Sequence, residues 1–125
     1  MLLDLTIEED SKKAALKTEI ERKNFSRAVD LAASLNLSNE EIEILRHKSL
    51  CQMAGTYRNA FGTKILAQKY GYSKQDVKRI LEEHASVICQ NGKRKPLKVC
   101  YDSFYGKYFS YEDWISHLIE KWHKL

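Results

Sequence analysis

Lys74, Gln75, Lys78 and Arg79 are four long hydrogen-bond donors spaced i, i+1, i+4 and i+5. On a helix that spacing keeps all four on one broad side. Ammonium and guanidinium groups bind phosphate, a guanidinium also donates in pairs to guanine O6 and N7, and a glutamine amide pairs with adenine. Such chemistry recognises a partner and makes no covalent bond. Groups capable of more are scattered. His84, Cys89, Cys100, His117 and His123 lie in the second half without C-x2-C or H-x3-H spacing, so no metal site is expected. The sequence has no nucleophile elbow, no Cys-His signature and no paired-carboxylate pattern. Its five glycines stand singly, so no phosphate-cradling loop is present. The expectation is no enzyme and no cofactor.

The element that must position the four donors is Thr63–Glu82, TKILAQKYGYSKQDVKRILE. It predicts two short helices joined by a tight turn. Leu66, Ala67 and Tyr70 share one side of the first helix. Gly71 marks the turn, and Ser73 with Asp76 forms a capping box that opens the second helix. Val77, Ile80 and Leu81 give that helix a narrow apolar stripe, leaving the four donors to face outward.

This stretch resembles the helix-turn-helix motif of DNA-binding regulators. The likeness rests on small Ala67 where the helices cross, Gly71 in the turn, and Val77 and Ile80 holding the second helix to the first. It covers about one sixth of the chain and names a superfamily, with an αα-corner in a helical domain as the plain alternative. The resemblance implies that the second helix, about residues 74–84, lies in the major groove of double-stranded DNA. Lys74, Gln75, Lys78 and Arg79 would then contact bases. Lys64, Lys69, Ser73, Lys93, Arg94, Lys95 and Lys98 would hold the backbone, and Glu82 and Glu83 would mark where the helix leaves the groove.

Charge supports a polyanionic partner. Residues 1–57 are net −2, residues 58–98 net +7 and residues 99–125 net −1, so the positive excess coincides with the motif and the segment after it. A chain of 125 residues, 43% hydrophobic and 30% charged, fits one domain or one domain with an arm. No apolar run approaches the ~20 residues of a membrane helix. The acidic start MLLDLTIEED is unlike a secretion signal, and three irregularly spaced cysteines suit free thiols. A cytoplasmic location is expected.

The remaining elements follow from patterning. Residues 8–35 predict two helices with a break at Lys23-Asn24, and Asn36 is a stop. The piece NFSRAVDLAASL resembles one helix of a tetratricopeptide-type hairpin, but no second copy follows. Ser38 and Glu41 form another capping box, opening a long helix through Ile42, Leu45, Ser49, Met53, Tyr57 and Phe61 that Gly62 ends. That helix is the expected third member of a trihelical core. SVICQ and LKVCY predict two strands around the basic tip NGKRKP, as in a winged helix-turn-helix. Ser110 and Asp113 begin a last helix whose Trp114, Ile115, Leu118, Ile119 and Trp122 form a wide apolar face. That face either closes the core or joins a homodimer through Trp114, Leu118 and Trp122.

The expected fold is therefore mainly α: a helical domain with a trihelical helix-turn-helix core, a short wing-like β-hairpin and a C-terminal amphipathic helix. Residues 1–37 would be an arm packing on a core of residues 38–125. Three function classes fit. The first is a small DNA-binding transcriptional regulator. The second is a protein-interaction module using the helical core and the aromatic C-terminal face. The third is a nonspecific nucleic-acid or RNA binder stacking bases on Tyr70, Tyr72 or Tyr105.

Overall fold

The computed structural model describes residues 2–90, 99–102 and 105–125, with side chains from residue 9 onward except Cys89 and Gln90. The described residues are mainly helical, with one small antiparallel hairpin, and no helix among them is long and apolar enough to cross a membrane. The chain forms two compact units, Met1–Ser49 and Leu50–Leu125.

In the first unit α1 (Leu2–Glu21) packs on α2 (Phe25–Ser34). The break falls where expected, with Lys23 at φ 60°. Ala28, Val29 and Ala32 put the apolar side of α2 into the core with Leu16, Ile42 and Leu45. Asn36 stops α2 at φ 55°, and the amides of Asn36 and Leu37 donate to the carbonyls of Ala33 and Ala32. Ser38 then caps α3 (Asn39–Cys51), its Oγ accepting from the Glu41 amide at 3.2 Å.

The long helix expected to reach Gly62 does not. It gives way at Gln52–Thr56 to one π-helical turn, and the chain leaves helical geometry at Tyr57–Asn59 with Arg58 at φ 50°. Asn59 restarts it, its Oδ1 accepting from the Gly62 amide at 2.8 Å, to open α4 (Ala60–Tyr70). Gly62 thus lies in the first turn of a helix. A Cβ there would lie 2.8 Å from Met53 Sδ and 2.9 Å from the Asn59 amide nitrogen, so a larger residue would require those side chains to shift.

The α4 terminus matches the sequence closely. Gly71 adopts φ 76°, its amide donates to Gln68 O, and the Tyr72 amide donates to Ala67 O at 2.8 Å. The Ser73 box is closed in both directions: the Asp76 amide donates to Ser73 Oγ at 3.1 Å and the Ser73 amide to Asp76 Oδ2 at 2.9 Å. The second helix, α5 (Lys74–Gln90), is longer than expected. SVICQ is its last part and forms no strand. Val77, Ile80, Leu81, Ala85 and Ile88 are all buried, so the stripe continues at helical spacing and outweighs the β-propensity of Val87 and Ile88.

The hairpin exists in a later register. β1 (Cys100–Asp102) pairs with β2 (Lys107–Phe109), with Tyr101 opposite Tyr108. The basic NGKRKP segment precedes β1 and lies outside the described residues. Ser110 caps α6 (Tyr111–Glu120), accepting from the Asp113 amide, and a 3-10 turn at Trp122–Lys124 follows. α6 packs on α5, with Tyr111, Trp114, Ile115 and Leu118 fully buried. Trp114 and Leu118 are therefore enclosed by their own unit, and of the face drawn for a homodimer only Trp122 keeps partial exposure.

Candidate nucleic-acid interface

α5 separates two kinds of residue along its length. Val77, Ile80 and Leu81 fix one side in the core, and Lys74, Gln75, Lys78 and Arg79 are all exposed. The helix therefore presents its donors together on its exposed side. Its first turn is held by the Ser73–Asp76 box, which keeps Asp76 ionised below the usual carboxylate range. The Ser73 amide is the main cause, then the Ser73 hydroxyl, with Arg79 adding to it. Arg79 Nη2 lies 3.7 Å from Asp76 Oδ1. An exposed ion pair of this kind is weak and screened by salt, so it does not withhold the guanidinium from a stronger anion. Glu82 and Glu83, one turn on, are also exposed and set the far limit of the basic row.

The expected backbone contacts divide. Lys69 is exposed, and Ser73 is exposed with its hydroxyl in the cap. Lys64 has internal work: its Nζ donates to Trp122 O at 2.9 Å and lies 5.6 Å from the centre of the Trp122 ring. Lys93, Arg94, Lys95 and Lys98 lie outside the described residues. The tyrosines named as stacking platforms are packed. Tyr70 is buried and meets Tyr72 edge-on at 6.0 Å, while Tyr105 packs against Phe109 and, at 4.2 Å, His117.

Among the described residues, the aromatics that do face solvent are Tyr57, Phe61, Tyr101 and Tyr108. Tyr101 and Tyr108 are cross-strand neighbours with ring centres 5.1 Å apart. A cleft of about 360 Å³ is lined by Tyr57, Arg58, Asn59, Ala60, Phe61, Tyr101 and Asp102. Alternation in CYD and KYF was the sequence signal for the tyrosine pair, since Tyr101 and Tyr108 point away from the side that buries Asp102.

Beneath the hairpin lies a polar network. Asp102, 4% exposed, accepts from Trp114 Nε1 at 2.6 Å and from the Tyr105 amide at 3.0 Å. Arg58 donates to Gly55 O and Phe109 O and lies over the Tyr111 ring, 5.1 Å from its centre. Burial pulls its pKa down, opposed by Cys100, Tyr111 and Asp102, and it stays charged. His84 Nδ1 and Tyr111 Oη are 3.0 Å apart, and burial lowers the His84 pKa. A Cβ at Gly55 would lie 3.3 Å from both rings, so the π turn approaches them through this glycine. Burial, with Glu83 adding to it, pushes the Cys51 thiol up to about 12, the opposite of an activated nucleophile. Among the described residues no group of three His, Cys, Asp or Glu could hold a metal ion.

No family model, curated protein or solved structure matches the chain. The helix-turn-helix likeness therefore rests on the residues of Thr63–Glu82 alone.

Proposed function

We propose that this chain is a DNA-binding protein, a small transcriptional regulator that places the first half of α5 in the major groove. One observation carries the reading. α5 is held by a fully buried stripe on one side while Lys74, Gln75, Lys78 and Arg79 stand exposed together on the rest of its surface. A recognition helix requires that division, because base readout needs long donors on a support that does not move. In this reading Gln75 addresses adenine and Lys78 or Arg79 addresses guanine. Ser73 and Lys69 hold phosphates at the helix entrance.

The test is fluorescence anisotropy on random duplex DNA over increasing salt, followed by site selection. Binding should weaken steeply with salt, because each neutralised phosphate releases counterion. At a selected site, Arg79→Ala or Lys78→Ala should cost about 1–3 kcal/mol and relax preference at one base position. Unchanged binding in both variants would remove α5 from the groove.

A further inference from the structure

The solvent-facing aromatics of the second unit form a surface that the α5 row does not use. Tyr57, Phe61, Tyr101 and Tyr108 are between 55% and 72% exposed, a heavy concentration of ring area for one small unit. Two of them are a cross-strand pair, and three line the same cleft. At about 360 Å³ the cleft sits at the small end of the ~300–1,000 Å³ typical for organic ligands.

Its polar lining narrows the ligand. Asn59 Oδ1 is committed to the Gly62 amide, which leaves the Asn59 amide nitrogen as a donor. Arg58 brings a positive charge held by Gly55 O and Phe109 O. The Asp102 carboxyl is engaged by Trp114 Nε1 and the Tyr105 amide. A cationic ligand would meet a guanidinium already in place and a carboxyl already occupied. A flat, hydrogen-bond-accepting ring on a polyanionic chain meets the reverse: rings to stack on, a donor at its edge and a cation nearby. The unit's sequence carries 13 Lys/Arg against 7 Asp/Glu, with Lys93, Arg94, Lys95 and Lys98 outside the described residues, and that excess favours a polyanionic ligand over an uncharged one.

We propose that this cleft and the Tyr101–Tyr108 pair bind unpaired bases of single-stranded nucleic acid, as a site separate from the duplex-reading side of α5. A base enters between Tyr101 and the Tyr57–Phe61 side, with Asn59 at its edge. A neighbouring base stacks on Tyr108. Ring stacking tolerates any base, so the site discriminates strandedness and not sequence.

The experiment titrates labelled oligo-dT, oligo-rU and a matched duplex with the full chain, its Tyr101→Ala/Tyr108→Ala double variant, Tyr101→Phe, and Lys78→Ala/Arg79→Ala. Exposure of both tyrosines predicts an intact fold, checked by thermal melting. Single-strand affinity should fall roughly 5- to 150-fold per stacked base in the double alanine variant. Tyr101→Phe keeps the ring and should leave binding unchanged. Duplex binding should be untouched by the tyrosines and lost with Lys78→Ala/Arg79→Ala. A difference between oligo-dT and oligo-rU would tell which backbone the site prefers. Absent single-strand binding, or binding indifferent to Tyr101 and Tyr108, overturns the proposal. So does a proline-rich peptide that binds these tyrosines where the oligonucleotides do not. Tyrosine-dependent single-strand binding without duplex binding would uphold this site and defeat the α5 reading, so the two fail separately.

Discussion

The hydrogen bond from Trp114 Nε1 to Asp102 Oδ2, 2.6 Å long, ties the hairpin to α6 and should be among the costliest contacts to remove. Trp114 is fully buried and Asp102 nearly so. In Asp102→Ala the indole N–H loses its acceptor in a place water does not reach, a penalty of about 1–3 kcal/mol. The Tyr105 amide also loses its partner, but Tyr105 is half-buried and water can replace the carboxyl at small cost. The methylene carbons and the hairpin's fixed register add a little more. The total expected loss is about 2–4 kcal/mol. For a cooperative unit of this size each kcal/mol moves Tm by about 4–8 °C, so the melt should drop by roughly 8–32 °C. Asp102→Asn should cost less, about 1–2 kcal/mol, because its amide oxygen still accepts from one of the two donors. Denaturant unfolding of Asp102→Ala, Trp114→Phe and the double variant closes a cycle. The double variant should lose less than the sum of the singles by about 0.5–3 kcal/mol, since the second change removes a group already without its partner. An Asp102→Ala protein within about 0.5 kcal/mol of wild type, with additive effects across the cycle, would show that the bond contributes nothing and refute the reasoning.

Two further outcomes follow from burial. His84 has its pKa lowered by burial beside the Tyr111 hydroxyl, so the unfolded chain binds the proton more readily in the window from the ordinary value of ~6.5 down to the folded one. Its contribution is complete above that window and is lost as pH falls through it; the melting loss on acidification should be smaller in His84→Gln than in wild type. Cys51, with its thiol pushed up to about 12, should resist iodoacetamide in the native protein while exposed Cys100 reacts, as read by peptide mapping. Equal rates at the two cysteines would mean that the π turn opens readily.

What the sequence disclosed was what neighbouring residues decide among themselves. Gly71 and Asn36 stop helices because few other residues hold positive φ cheaply, and Ser38, Ser73 and Ser110 start them because a hydroxyl one turn ahead answers an orphan amide. Both signals are complete within five residues. The exposed row on α5 was equally legible, since a three-residue apolar stripe fixes which positions face outward.

Most of the differences arise where the deciding partner lies far away in the chain, and one, the break before α4, comes from a local cap. SVICQ looks like a strand by composition, yet Ile88 is buried in the unit's core, and burial at helical spacing kept it in α5. Lys64 looked free because its acceptor, Trp122 O, is 58 residues on. Arg58 gave no local sign that it would meet Phe109 O, 51 residues away, and the break that frees it came from an Asn59 cap that a glycine three positions later disguised. Tyr70 and Tyr105 are taken up by contacts from other elements, while Tyr101 and Tyr108 stay exposed because their strand neighbours, Asp102 and Phe109, turn the opposite side of the hairpin inward. A polar side chain such as Asp102 can direct a short strand as firmly as an apolar one when a buried indole N–H awaits it. The hairpin's register, and with it the outward tyrosine pair, thus follows from one carboxyl and one tryptophan.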